Sequence, residues 1–571
     1  MKTSILAFAL LTSPTLTCGI NAQEVEDFNK LVRKSMSHYE DTLKSAPGYD
    51  SVAWHGEVYL GSNTRGVVLP NGFFRYQNGR WKVTGDVQID LSDIQTTQEE
   101  DGRFETGARN VTDTDIDSRH EYEDLKMRID YNLTHKDVLS LDIFQKYHHD
   151  LICQNSIKSG IRPDGTSTES KYEEQERKVR DFNCGVLVEH KHTFKDAGSL
   201  SSRIYYKYDN KPTDVNREDW GELSESVMVF DTQRYTSSEP KAQIIYLSPK
   251  WNGFNLGVRQ KVGFMNMHID DSATSFGYEV DQSLSSFDLT YKPGPVTLNF
   301  QAAYEIYHHN IVDHVSDDIS HTYRDWLFHA SVAWKINKTH RLALHFDHDY
   351  TRPTYTQLYP FIHVGSYLGA RVVGNSSLQP SLINQYQAQY TFKSKPLTLK
   401  AIVTYKRTSD DITSITGYDG FTQQTVKTWV NDATYNTIQL ALEGEVRKGC
   451  FDMTMGIRAQ HLDYIGMHVS TDEVWSYSFK MRPKFRLPND WTLAAVFLHN
   501  GRETHRHWYN QAFTYMALRG QKQLGDWAIY CYIQDLLRET HVKVQHNTGY
   551  TVNTSNDYNA RALIMGCSYS F

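Results

Sequence analysis

Short segments in which every second residue is apolar recur along most of the chain, and the breaks between them alternate in kind. In "LKMRIDYNL", Leu125, Met127, Ile129, Tyr131 and Leu133 share one face while Lys126, Arg128, Asp130 and Asn132 share the other. The same spacing appears in "VTLNFQAAYEI" (296–306), "RLALHFDHD" (341–349) and "NQYQAQYTF" (384–392). Successive strand side chains point to opposite faces, so a period of two marks a strand with one apolar side. Tight turns stand at 77 (QNGR), 134 (THKD), 195 (KDAGS), 250 (KWNG), 292 (KPGP), 337 (NKTH), 393 (KSKP), 447 (RKGC), 487 (LPND) and 523 (QLGD). Between neighbouring turns lies one longer polar connection, centred near 105, 163, 223, 272, 314, 365, 416, 468 and 505. With the first hairpin, Ser51 to Tyr76, and the last, from Trp527, the chain counts ten tight turns and eleven longer loops, hence 22 antiparallel strands.

A β-sandwich would alternate too, because its strands bury one face. Short turns at one end and long loops at the other separate the two cases, since that is the layout of a barrel spanning an outer membrane with its turns in the periplasm. The expected fold is therefore all-β, a transmembrane antiparallel β-barrel of about 22 strands over residues 51–571, with both termini on the periplasmic side. Composition agrees: 39% hydrophobic residues with 13% aromatics suits strands that show lipid one face and water the other. No stretch reaches about 18 consecutive apolar residues, which excludes a helical membrane protein. A net charge of −8 gives no basic footprint, so no nucleic-acid partner is expected.

The two ends carry their own signals. "RALIMGCSYSF" alternates Leu563, Met565, Cys567, Tyr569 and Phe571 with Gly566, Ser568 and Ser570, and only Ile564 interrupts. A strand that must pair with the first one to remove the sheet edges needs no polar tail. At the front, Lys2, the apolar run Ile5–Leu11 and small residues up to Ala22 read as a secretory signal over 1–22. A lipidated Cys18 fits less well, because Leu16 stands two residues before it rather than three. Residues 23–50 form a short periplasmic segment in which Val25, Phe28, Val32, Met36, Tyr39 and Leu43 have the spacing of one amphipathic helix. Five cysteines follow the leader; their spacings fit no zinc or redox motif, while Cys153 and Cys184 are placed to bridge one loop and Cys567 to face lipid.

The segment 351–392 resembles the barrel of TonB-dependent receptors, nearest to the Bacteroidetes-type outer membrane β-barrel branch. It has Arg352-Pro353, then Leu358, Pro360 and Phe361, then Gly374-Asn375, Leu378 and Pro380, leading into a strand with Asn384 and Tyr386. "VNDATYNTIQLALEGEV" (430–446) and "IQDLL" (533–537) extend the similarity, which covers roughly 51–571. Ser381 departs from it, standing where the family usually carries an acidic residue. Receptors of this family also place an energy-coupling box and a plug domain before the barrel, whereas here only 23–50 separates the leader from the first strand. The resemblance thus implies the fold more directly than the activity: uptake or surface binding of a ligand, against a non-transporting scaffold or adhesin and a passive wide channel. It also implies outer membrane lipids as surroundings, a separate plug-like or surface lipoprotein as a candidate partner, and Leu563, Met565, Tyr569 and Phe571 as the signal read by the barrel-assembly machinery.

The 25 histidines include His148-His149, His190/His192, His308-His309 and His345 beside Asp347 and Asp349. His190 and His192 share a strand face and could both reach one ion, yet spacing supplies no third ligand, and lumen walls need polar residues in any case. No metal, cofactor or catalytic group is expected, and with no nucleophile motif the chain reads as a non-enzyme. The loop 350–382 offers Arg352, Tyr355, Tyr359 and Arg371 as candidate ligand contacts, since arginine with aromatics makes good anchors. Loop packing and the interfacial aromatic belt are the competing uses of those tyrosines. Twenty-two strands tilted by about 40° enclose a bore roughly 45 Å wide, so the loops near 163, 223 and 365, or a partner chain, are expected to fill it.

Overall fold

Each alternating segment becomes one pleated strand, and 22 of them close a wall. These are β1 (Ala53–Asn63), β2 (Val68–Asn78), β3 (Trp81–Phe104), β4 (Arg109–Asn132), β5 (Asp137–Ile161), β6 (Lys171–Thr193) and β7 (Ser199–Gly221). There follow β8 (Val227–Leu247), β9 (Phe254–Asp270), β10 (Ser275–Tyr291), β11 (Val296–Asp313), β12 (Ile319–Lys335), β13 (His340–Thr351), β14 (Ser381–Ser394) and β15 (Leu397–Asp419). The last are β16 (Gln424–Lys448), β17 (Phe451–Ile465), β18 (Trp475–Leu487), β19 (Trp491–Asn500), β20 (Phe513–Leu524), β21 (Trp527–Gln534) and β22 (Ala562–Ser570). The computed structural model describes residues 53–571 apart from loop positions 64–67, 105–106, 195–197, 222–225, 271–274, 314–318, 360–362, 366–369, 420–423, 466–474, 505–507, 538–540, 548–549 and 559–561. The expected leader and the 23–50 segment lie outside the described residues.

Every wall strand runs antiparallel to its neighbours in chain order, and β22 returns to β1 with Tyr569 opposite Val58 and Cys567 opposite Leu60. Phe571 completes the seam: its N–H donates to Gly56 O at 2.9 Å and its carbonyl accepts from Gly56 N at 3.0 Å. A closed antiparallel sheet leaves no unpaired edge in hydrocarbon, which is the condition for crossing a bilayer with strands. Among the described residues no helix is long and apolar enough to cross a membrane. Nine of the ten tight turns fall where the sequence places them, and the tenth, at 195, includes positions outside the described residues. In the three-residue turn between Leu487 and Trp491, Asn489 and Asp490 both take φ of 59°, the left-handed region that asparagine and aspartate enter more readily than most residues.

The outward set includes Trp81, Leu125, Ile204, Val258, Trp326, Leu344, Leu440, Ile457, Trp527 and Met565, all exposed on the barrel surface. Near the short-turn end this face carries an aromatic girdle, with Trp81 on Tyr131, Phe254 on Tyr291, Phe451 on Phe485 and Trp527 on Tyr569, as expected at a membrane interface. The inward face is polar: Ser118, Asp124, Ser140, Glu189, Asp209 and Glu305 are all buried there.

The wall is uneven in height. A strand needs about 9–11 residues to cross, yet β3 to β7 have 23 to 25. At about 2.5 Å of rise per tilted residue they stand some 30 Å above an apolar band about 25 Å tall. β19 to β22, by contrast, have 8 to 12 residues. Loop strands complete the tall side. Above Leu91, the last residue of β3 paired with β2, the strand Tyr550–Tyr558 takes over the edge of β3, and it pairs in turn with His541–Asn547, which pairs with Trp508–Asn510.

Two expectations need correction. The connection placed near 416 is strand: β15 runs to Asp419, with a bulge at Thr408–Asp411 where Asp410 takes φ of 54°. Polar residues on both faces above the lipid hide such a strand from a pattern search. Cys153 and Cys184 do not bridge; Cys153 lies opposite Glu176 and Cys184 opposite Gln145, so they stand far apart on adjacent strands and both are free thiols.

Candidate functional site

The connection between β13 and β14 turns into the barrel instead of away from it. After Pro353, which is buried, Tyr355–Leu358 make a single helical turn whose start is held by Thr354 N–H donating to Gln357 Oε1 at 2.9 Å. Leu358, Tyr359 and Leu378 are then buried against Met267, Ile269, Phe276, Tyr278 and Ile311, all lumen-facing residues of β9 to β11. The Tyr359 ring stacks on Phe276 with centroids 4.0 Å apart. Ile412 and Trp429, on β15 and β16, pack on the same cluster, so the loop braces strands on both sides of its own origin.

Its hooks are the residues of the receptor-like motif. Asn375 donates its N–H to Gln357 O at 2.6 Å and Nδ2 to Trp429 O at 2.9 Å, while Oδ1 accepts from Ser377 N and Oγ at 3.0 and 2.6 Å. Gly374 passes so close to the Tyr359 backbone that a Cβ there would overlap the Tyr359 carbonyl. Ser381 fills the place of the missing acid: its Oγ accepts from Ile412 N and donates to Asp410 O, both at 3.1 Å, pinning the bulge of β15.

Of the four candidate ligand residues, three are engaged in holding this loop. Arg352 Nη2 contacts Glu305 at 2.6 Å and Asp325 at 2.8 Å, and its guanidinium lies 4.8 Å from the Tyr307 ring centre. Tyr359 is 2% exposed, and Tyr355 is half-buried against Phe276 and Tyr278. Arg371 belongs to the short strand Ala370–Val372, which runs parallel beside Val426 and Lys427; its side chain lies outside the described residues. At the seam, Met565, Tyr569 and Phe571 of the assembly set face outward, while Tyr530 covers Gly566 from within.

Histidines meet carboxylates at several heights. His345, Asp347 and Asp349 share the lumen face of β13 as read from the sequence, and Asp347 accepts a bond from His329 Nδ1 at 2.7 Å on β12. At the short-turn end His190 and His192 converge on Asp137, at 3.4 and 2.6 Å. Hydrogen bonds from Thr134 and then His192 hold the Asp137 carboxyl at about 2, below the ordinary carboxylate range. Higher up, where the outward neighbours are Arg119, Glu121 and His149, the inner wall brings His120, His148 and Asp150 together. Burial alone would raise the Asp150 carboxyl, but the bonds from both imidazoles outweigh it and hold it well below the usual range. The sequence singles out His148 yet passes over His120 and Asp150, because only the cross-strand register makes them neighbours. The signal available was two lumen-parity positions on strands joined by one tight turn.

Residues 296–570 match the model of the Outer membrane protein beta-barrel family. No curated protein matches the sequence. Among solved structures, the Copper transporter OprC superposes with a TM-score of 0.66 at 9% identity, over 92% of this chain and 81% of that one. The FrpB iron transporter from Neisseria meningitidis gives 0.60 at 10% identity, over 93% and 83%. The siderophore receptor PirA from Pseudomonas aeruginosa gives 0.56 at 11%, over 91% and 81%. At such identities the likeness is one of fold, that of an outer membrane β-barrel.

Proposed function

We propose that this barrel is a non-enzymatic receptor that takes a ligand from outside the cell across the outer membrane. The observation that carries the reading is the inward turn of the chain at 352–359 and 374–380, fastened to the inner wall by Arg352, by Asn375 and by the apolar cluster around Tyr359. The tall side of the wall, β3 to β7, lines one flank of the barrel's upper opening with ionisable groups suited to a hydrophilic ligand. The solved structures with this fold are named as a copper transporter, an iron transporter and a siderophore receptor, which supports uptake over the scaffold reading. In this reading residues 1–22 direct export, 23–50 remain in the periplasm, and the outward Met565, Tyr569 and Phe571, with Leu563, guide assembly.

Planar-bilayer recording of the purified protein tests it. A receptor of this kind shows no steady conductance until its loop is released, for example in Arg352→Ala. A large, ungated conductance of the native protein identifies a passive channel and refutes the proposal.

A further inference from the structure

We propose that His120, His148 and Asp150 form a binding site for a first-row divalent metal ion of the zinc class on the lumen wall above the membrane. Asp150 stands directly opposite His120 across β4 and β5, and His148 lies two residues away on the same face. The three side chains therefore rise from adjacent points of one surface. His120 Nδ1 and His148 Nε2 both meet Asp150 Oδ1, the second at 2.7 Å, and the three donor atoms lie within 4.8 Å of one another. Among the described residues no other three His, Cys, Asp or Glu side chains come together in this way.

Two imidazole nitrogens and one carboxylate oxygen form a donor set that borderline divalent ions take at about 2.0–2.2 Å. Ligands around a tetrahedral ion stand about 3.3–3.6 Å apart, so side-chain rotation within the present spread admits one without moving a strand. His120 is 3% exposed and its Nε2 has no hydrogen-bond partner. Asp90 Oδ1, on β3, is also buried and unpartnered, and Asp90 is close enough for its charge to act on both imidazoles. An ion on His120 Nδ1 leaves the ring proton on Nε2, where it needs an acceptor. Asp90 is the nearby unpaired carboxylate, and such outer carboxylates orient metal-bound histidines. Three protein ligands leave a fourth position, and half-buried His148 places it toward the lumen. The site stands on this geometry whether or not the uptake reading holds.

The test uses the full barrel without a polyhistidine tag, folded in detergent, stripped with a chelator and titrated calorimetrically with Zn²⁺, with visible Co²⁺ spectra as a second readout. One ion per barrel is expected, with affinity falling at least about a hundredfold in His148→Ala and Asp150→Asn, and about 10–100-fold in Asp90→Asn. The double variant His190→Ala/His192→Ala, at the opposite end of the wall, should bind like the native protein. Heat-modifiable migration confirms that each variant is folded. Native-like binding by His148→Ala and Asp150→Asn, or no binding by the native barrel beyond theirs, overturns the proposal.

Discussion

Replacing Arg352 by alanine should free the inward loop while leaving the wall intact. Arg352, Glu305 and Asp325 have side-chain exposures of 16%, 5% and 13%, so all three are largely removed from water. Removing one partner of a buried ion pair costs about 3–5 kcal/mol, because the remaining charge stays desolvated. Here two carboxylates would be stranded, and the stacking on Tyr307 that is also lost is worth about 0.5–1 kcal/mol. Taking about 3 kcal/mol for a site with some solvent access, the loop's opening equilibrium should rise about a hundredfold. Hydrogen exchange reads this directly at the amides of Tyr359 and Asn375, which bond to Tyr355 O and Gln357 O in the closed loop. Arg352→Lys keeps a charge that can meet both carboxylates but loses the planar guanidinium against Tyr307, so it should fall between. The triple variant Arg352→Ala/Glu305→Gln/Asp325→Asn should recover much of the protection, since no unpaired charge remains. Exchange within twofold of the native rate in Arg352→Ala, or no recovery in the triple variant, would refute the reasoning.

Gly374→Ala should destabilise the same loop by about 1–3 kcal/mol through overlap with the Tyr359 backbone, seen as faster proteolysis between 359 and 374 with unchanged barrel migration on gels. Deleting Phe571 removes both backbone bonds to Gly56 at the seam and should lower the yield of heat-modifiable barrel in the outer membrane. Asp137 has a carboxyl depressed to about 2 in the folded protein, so its contribution is complete above the ordinary carboxylate value of about 3.9 and is lost as pH falls toward 2. The stability difference between native protein and Asp137→Asn, measured by denaturant titration, should therefore shrink between pH 5 and pH 2; a difference that does not change with pH would contradict the bond pattern at that turn.

The strands and turns were legible because each carries a local cause. Leu125, Met127, Ile129 and Tyr131 must face lipid together, and Asn489-Asp490 take the left-handed conformation of a tight hairpin readily. The upper wall was less legible. Between 409 and 419 polar residues occupy positions of both parities in β15, so the apolar alternation that reveals a strand vanishes although the ladder continues. The loop at 352–380 announced its hooks, Gly374 and Asn375, but not their destination, which depends on Phe276 and Trp429 from distant strands. His120 and Asp150 became neighbours only through the β4–β5 register, which the length of the 133–136 turn fixes and alternation alone does not.

Surface labelling of intact cells tests the account's central claim, that 22 strands place every tight turn in the periplasm and every long loop outside. An epitope inserted at Gly365 or Asn547 should be accessible to antibody on whole cells, while one at Ser394, beside the β14–β15 turn, should react only after the outer membrane is permeabilised. Labelling at Ser394 on intact cells with none at Gly365 and Asn547 would invert the barrel and contradict both the topology and the receptor reading built on it.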